Sequence, residues 1–546
     1  MNLDSALAAA NAWRDQDPDP VTRDELSALI AAAEAGDAAP LVERFASRLE
    51  FGTAGLRGEL GAGPTRMNRV LVTQAAAGLA AYLRERFDEP SIVIGYDGRT
   101  NSEVFARDTA VIMAGAGVRA TLFPRALPTP VLAFGVRHFA ASAGVMVTAS
   151  HNPGRDNGYK VYLGGLDGGS QIVPPEDGLI ASHIQRVATG SIGELPRSTD
   201  FLVADDGVVH EYVRRTAELG HAPTPLTFVY SAMHGVGWET AHAVFEAAGF
   251  GTPELVTQQA EPDATFPTVA FPNPEEPGAM DLTFARAAEV NADLAIVNDP
   301  DADRLAVAVP GPQGWRRLSG NEVGTLLGWR AAERGGGGAL AASIVSSPAL
   351  RTIADAYGMP YRDTLTGFKW ISRVEGLAYG YEEALGYLVD PQKVRDKDGI
   401  SAAVDFLSMA SELKAEGRTI DDRLAECAER FGAFASGQIS LRFDDLSRIA
   451  AAMTRLRENP PASVGGIAVE RIDDFIAGFE HYPAGDILRY WLAGGSRVIV
   501  RPSGTEPKLK VYLDAFSDEG SAAQRQSAAA AAVAALDSGM RALLEV

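Results

Sequence analysis

Cysteine is nearly absent from these 546 residues: Cys427 stands alone, so no intrachain disulfide can brace the fold, and a reducing, cytoplasmic setting is expected. Uninterrupted apolar runs of the roughly 18 residues needed to span a bilayer are missing too. The opening stretch, MNLDSALAAANAWRDQDPDP, lacks the basic region of an export signal, so neither export nor membrane association is expected. Positive charge is scarce, and lysine most of all, with seven residues among 49 Lys and Arg and a net charge of -22. Such a surface repels polyanions, which argues against general nucleic-acid or anionic-membrane binding; an anionic ligand must be held by local cationic pockets. Six of the seven lysines (Lys160, Lys369, Lys393, Lys397, Lys508 and Lys510) fall in or beside the unusual loops described below, and only Lys414 does not.

What is present is globular: 46% hydrophobic and 22% charged residues, in a chain long enough for roughly three to five domains of about 100 to 200 residues. The first 45 residues read as helix, with Thr22 and Glu25 spaced as a capping box. From there to about 310, short apolar runs recur at SIVIG (91), GVMV (144), LTFVY (226) and LAIV (294), separated by Ala-rich stretches of helical spacing. That alternation predicts βαβ units around parallel sheets, with ligands held in the loops at the carboxyl ends of the strands. A further α/β pattern runs to about 435, and strands with few crossovers, closed by an Ala-rich helix, predict a smaller α+β domain at the end.

Three loops after predicted strands carry chemistry. In NDPDADR (298–304), Asp299, Asp301 and Asp303 can converge on one hard cation such as Mg2+ if the loop curls around it. An EF-hand would need Gly and Glu where Arg304 and Pro310 stand, and the remaining alternative is a polar turn whose three neighbouring carboxylates would repel one another. RPSGTEPKLKVY (501–512) combines a guanidinium, two hydroxyls and a glycine, as a phosphate nest would, or as an ordinary Pro-Ser-Gly turn would. GYEEALGY (380–387) sets Glu382 and Glu383 between glycines, either as acceptors for sugar hydroxyls or as the start of a helix. A fourth stretch, VTASHNPGRDNGYKVY (147–162), puts Ser150, His151 and Lys160 around a turn.

Taken together, TASHNP (148–153), DPDADR (299–304), YEEALG (381–386) and RPSGTEP (501–507), in that order after FGTAGLRG (51–58), resemble the alpha-D-phosphohexomutase superfamily. The similarity covers about residues 45–520 and lies in the branch that includes phosphoglucomutase, phosphomannomutase and phosphopentomutase-like enzymes. It implies four domains around a central cleft: three related α/β domains with mixed, mostly parallel sheets, and a smaller C-terminal α+β domain. The corresponding residues are 1–205 with the helical extension and phosphoserine loop, 206–318 with the metal loop, 319–436 with the sugar loop and 437–546 with the phosphate loop.

The resemblance further implies an isomerase that interconverts hexose 1-phosphate and hexose 6-phosphate through a phosphoserine and a sugar 1,6-bisphosphate. Ser150 would be the phosphoryl carrier and, with Asp299, Asp301 and Asp303, a ligand of Mg2+. Lys160 would be the general base, its pKa lowered near the cation, while Arg57 and Arg304 stabilise developing charge. His151 either orients these groups or merely fixes loop backbone. Glu382 and Glu383 would bind the sugar; Arg501, Ser503, Gly504 and Thr505 the distal phosphate; Lys369 and Lys397 line the cleft. Expected partners are sugar monophosphates and bisphosphates, the bisphosphate also serving as activator, for a monomer or weak homo-oligomer. Ala384 stands where many members have a serine that bonds the sugar, and one lost hydrogen bond, about 0.5–1.5 kcal/mol, does not exclude an epimer. Glucose, mannose and, third, a pentose therefore stay open. Of other classes, a serine hydrolase lacks a G-x-S-x-G turn at Ser150, and a non-catalytic sugar-phosphate binder would need neither the serine nor the three aspartates.

Overall fold

A computed structural model of the chain describes residues 1–545 apart from 54, 444, 481 and 504–507. It divides into two compact units, Met1–Leu318 with Gly386–Glu412, and Ser319–Leu385 with Leu413–Val546.

In the first unit, buried apolar strands order two mixed sheets. Ser91–Tyr96 lies between Arg119–Leu122 and Ala143–Val147, parallel to both. Ala143–Val147 then pairs antiparallel with Asp156–Leu163, and that strand with Leu56–Glu59. The reversal between residues 147 and 156 is where TASHNP sits, and the register Arg57↔Gly158 brings FGTAGLRG beside it. Ile92, Ile94, Val145 and Val147 pack against the helices Arg69–Arg86, Ser102–Gly115 and Glu176–Val187 in one core. In the second sheet Phe228–Ser231 and Leu294–Asn298 are parallel, and Leu305–Gly311 returns antiparallel to Leu294–Asn298. DPDADR is the turn of that return, at the carboxyl end of a buried parallel strand.

The N-terminal residues form three helices, Leu3–Gln16, Pro20–Glu34 and Ala39–Ala46, whose Trp13, Leu26, Ile30, Leu41 and Phe45 share a core. The expected capping box is not formed. Pro20 opens the second helix and Asp19 caps it by accepting from the Val21 amide, which places Thr22 and Glu25 inside the helix. Thr22 donates instead to Asp17, and Glu25 accepts from the Ala62 amide and Arg44.

In the second unit, Ala339–Ser343 runs parallel to both Tyr361–Thr364 and Leu377–Glu382. Glu382 thus ends a strand, which excludes the helix-start alternative. The remaining sheet is antiparallel, in the order Ala433–Arg442, Lys508–Ser517, Arg497–Pro502, Leu488–Leu492, Ile467–Asp474 and Ser463–Val464. The strand Ala433–Arg442 runs through the expected boundary at 436/437. Helices Leu446–Glu458 and Ala522–Leu544 cover this sheet, with Met453, Leu536 and Met540 packed on Val498, Val500 and Leu513. By length and composition Ala522–Leu544 is also the one described helix apolar enough to cross a membrane. Ile344 and Val345 join Phe475, Tyr482, Ile487, Ile499 and Tyr512 in an apolar cluster that ties the parallel sheet to the antiparallel one.

Gly324, inside the helix Gly320–Arg334, shows how closely these layers meet: a Cβ there would stand 2.2 Å from the buried Tyr381 ring, beside the YEEALG loop. Glycine to alanine within a helix ordinarily gains about 1 kcal/mol. Gly324→Ala is expected instead to destabilise by about 1–3 kcal/mol through overpacking, read as a lowered midpoint in urea unfolding.

Candidate active site

Ser150 is 3% exposed and held in left-handed backbone, with φ +53°. Its amide is capped by the Thr148 hydroxyl at 2.9 Å. Its Oγ donates to Asp299 Oδ2 at 2.9 Å and lies 3.3 Å from His151 Nδ1. Burial, and then the guanidinium groups of Arg304 and Arg57, push His151 well below the usual imidazole range, so the ring is neutral at physiological pH. A neutral ring next to a hydroxyl can orient it without adding charge. Arg57 donates to Asn152 Oδ1 at 3.3 Å, bracing the same turn.

Across from the serine, Asp299, Asp301 and Asp303 are each fully buried, with one carboxylate oxygen apiece lying within 4.8 Å of one another. Lys160 Nζ donates to Asp301 at 2.7 Å and Asp303 at 2.9 Å, and Lys397 Nζ lies 3.2 Å from Asp303. Thr129 donates to Asp301 at 2.6 Å. Burial and mutual repulsion would raise all three acids. For Asp301 the contacts with Lys160 and Thr129 outweigh this, and for Asp303 those with Lys160, Lys397 and Arg304, so both are lowered. Asp299 has the Arg304 guanidinium at 3.9 Å as its nearest ion-pair contact, and it is raised well above the carboxylate range by burial and its two neighbours.

The expected lowering of Lys160 is not what these side chains produce. Burial alone lowers it, but Asp301 and Asp303 reverse the sign and its pKa is raised. Only if another cation draws off those carboxylates can the ammonium release its proton near neutrality. The donor set fits such a cation. Among the described residues, Asp301 Oδ1 and Asp303 Oδ1 are buried without a hydrogen-bond partner, with the Arg304 Nε 4.0 Å from the latter, which is costly for acceptor-only oxygens unless a closer positive charge meets them. All-oxygen ligands with a hydroxyl alongside suit Mg2+.

The second unit holds the remaining expected residues. Glu383 accepts from Ser343 at 2.9 Å and Ser346 at 3.0 Å, and burial together with Glu382 pushes it up to about 7. Glu382 accepts from the Gly367 amide at 3.0 Å and so anchors the start of the short helix Phe368–Ile371 that carries Lys369. Arg501 is the last residue but one of the strand Arg497–Pro502 and lies near Tyr512, whose phenol is raised by burial and the Glu383 charge and eased by the Arg501 charge. The Ser503 amide donates to the Lys508 carbonyl at 2.7 Å. Gly504 and Thr505 lie outside the described residues.

Two features of the first unit escaped the sequence reading. Arg99, 4% exposed, donates to four carbonyls of the serine turn: Ser150 and Asn152 at 2.6 Å, Pro153 at 2.8 Å and Asp156 at 3.1 Å. Asp97 sits 3.4 Å from its Nε. The signal was the polar DGR directly after the strand Ser91–Tyr96. In SAMHGVG (231–237), the Val236 amide donates to the Pro300 carbonyl at 2.9 Å, and a Cβ on Gly235 would stand 2.2 Å from Pro300 Cα. Glycine there lets one loop lie directly on the carboxylate turn.

Comparison with known proteins agrees with this arrangement. The phosphoglucomutase/phosphomannomutase family models match in sequence order: α/β/α domain I at 48–190, domain II at 210–313, domain III at 319–431 and the C-terminal domain at 449–532. A probable phosphomannomutase of Haemophilus influenzae is 55% identical over 88% of this chain and 98% of its own. The phosphopentomutase of Mus musculus is 34% identical over 95% of this chain and 92% of its own. A solved phosphoglucomutase/phosphomannomutase family protein from Burkholderia thailandensis shares the fold, with a TM-score of 0.71 at 19% identity over 91% of this chain and 97% of its own. With all four domains matched in order, the chain belongs to the phosphoglucomutase/phosphomannomutase family, whose members are isomerases that move a phosphoryl group within a sugar phosphate.

Proposed function

We propose that this enzyme interconverts hexose 1-phosphate and hexose 6-phosphate, with Ser150 as the phosphoryl carrier. The observation that carries the reading is Ser150 Oγ at 2.9 Å from Asp299, facing a ring of carboxylates that retains, among the described residues, two oxygens without a hydrogen bond. The 55% identity to a probable phosphomannomutase, against 34% to a phosphopentomutase, supports a hexose; the pentose remains the second reading because that weaker match spans nearly the whole chain.

In this scheme the phosphorylated serine faces the free hydroxyl of a sugar monophosphate. The hydroxyl oxygen forms a bond to phosphorus as the bond from phosphorus to Ser150 Oγ breaks, and the hydroxyl proton passes to Lys160. The resulting bisphosphate turns over; Ser150 Oγ bonds its other phosphorus as the bond from that phosphorus to the sugar oxygen breaks, the sugar oxygen takes the proton back from Lys160, and the isomeric monophosphate leaves with the serine phosphorylated as it began. Mg2+, held by Asp299, Asp301, Asp303 and the Ser150 side chain, would supply Lewis-acid neutralisation of the phosphoryl oxygens and draw the carboxylates' charge away from Lys160. Arg57 and Arg304 add fixed positive charge as the phosphoryl group moves. Arg99 keeps the serine turn in place by its carbonyl contacts, and Arg501 with Ser503 receives the phosphate at the far end of the sugar. Glu382 and Glu383 offer their remaining oxygens to the sugar hydroxyls.

A coupled assay with Mg2+ and a trace of hexose bisphosphate, run on glucose, mannose and ribose 1-phosphates, names the preferred sugar. Ser150→Ala is expected to abolish turnover with unfolding unchanged; robust activity in that variant contradicts the phosphoserine route. Chelating divalent metal is expected to stop the reaction, with recovery on adding Mg2+, and a rate that survives chelation removes the aspartates from metal binding. Arg99→Lys retains the charge opposite Asp97 but not the fork that reaches four carbonyls. It is expected to lower kcat about 10- to 100-fold with little change in KM, the size expected when a reacting group is displaced by about 1 Å. An unchanged kcat would mean the turn holds itself.

A further inference from the structure

The strand that carries Arg501 begins with another arginine. Arg497 is 4% exposed and opens Arg497–Pro502; its Nε donates to Asp514 Oδ2 at 2.8 Å on the neighbouring strand, and its Nη2 donates to the Ser346 carbonyl. Asp514 also accepts from Ser436 at 2.7 Å. Ser346, 2% exposed, is the seat of Glu383: its hydroxyl donates to the Glu383 carboxylate at 3.0 Å and accepts from the Glu383 amide at 3.1 Å. Ser343 stands 2.8 Å from Ser346 and donates to the same carboxylate oxygen at 2.9 Å. The sugar-loop glutamate is therefore held through both its carboxylate and its backbone by a serine turn that an arginine of the antiparallel sheet grips from behind.

Stability alone does not account for this arginine. A buried ion pair is commonly no better for stability than an apolar pair of similar volume. What an apolar pair, or a lysine, cannot supply is the second arm: a donor that serves the Asp514 carboxylate and the Ser346 carbonyl together. Tyr512, two residues before Asp514, lies near enough to Arg501 to feel its charge. The hairpin 497–517 thus supports the glutamate's seat at one end and the phosphate arginine at the other.

We propose that Arg497 is a positioning residue for sugar recognition, fixing Glu383 through the Ser346 carbonyl so that one hairpin aligns the sugar carboxylate with the phosphate-binding arginine. This rests on the reading of Glu383 as a sugar ligand.

The test is a double-mutant cycle on the affinity for glucose 1-phosphate and mannose 1-phosphate, measured by calorimetry on the full chain: wild type, Arg497→Lys, Glu383→Gln and the double variant. Arg497→Lys is expected to weaken binding about tenfold, the scale of one lost charge-assisted contact, and the double variant to bind no more weakly than Glu383→Gln alone. The proposal is overturned if Arg497→Lys binds as wild type does, if the two effects multiply, or if Glu383→Gln leaves affinity unchanged, since Arg497 then has nothing to act through. Should Arg497→Lys not fold, Arg497→Met combined with Asp514→Leu removes both buried charges, and it too must lose affinity; wild-type binding by that variant sinks the idea. Affinity is read without turnover, so a wild type that binds but does not isomerise defeats the mutase reading and leaves this cycle to be judged on its own.

Discussion

Three buried carboxylates within 4.8 Å of one another are the constraint on which the first unit is built. Each desolvated charge costs several kcal/mol unless it is met, and neighbours of the same sign add to that. The neighbouring groups answer this problem. Lys160 comes from the sheet of Ser91–Tyr96, Thr129 from the helix beside it and Lys397 from the later segment, while the aspartates themselves belong to the second sheet. The charge cluster is therefore also what fastens one sheet to the other. Ser150 takes the acceptor left with the weakest counter-charge, Asp299.

Two buried arginines solve similar problems in different places. Arg99 gathers four carbonyls of the serine turn, and Arg497 reaches one carbonyl behind a serine pair. Both carry an aspartate on the inner nitrogen, Asp97 and Asp514, which keeps the guanidinium charged and its fork aimed. Arg497 gives its support from within a strand and Arg99 from the residues directly after one, so each loop is held by a part of the chain anchored in a sheet.

Much of this was legible in the residue order. Apolar runs gave the strands at Ser91–Tyr96, Ala143–Val147 and Leu294–Asn298, because full burial on both faces leaves a continuous hydrophobic signature. The alternating aspartates were readable because such a pattern makes little sense in a solvated turn. The arginine supports were not, because their partners are main-chain carbonyls about 50 and about 150 residues away, and a carbonyl leaves no mark in the sequence. That Lys160 would bond two carboxylates within 3 Å was not legible either, since burial can be guessed from the pattern but those contacts cannot. The capping box failed locally, where Pro20 and Asp19 together made a better helix start than Thr22 and Glu25.

The left-handed backbone at residue 150 has a consequence for which hydroxyl can stand there. As chemistry, threonine offers the same oxygen and the same phosphoester. As geometry, a branched Cβ crowds the neighbouring carbonyl at φ +53°, where unbranched residues are already uncommon. The turn accepts serine and resists threonine before any question of reactivity arises. An exchange that many phosphorylated positions tolerate is closed here by the shape of the main chain.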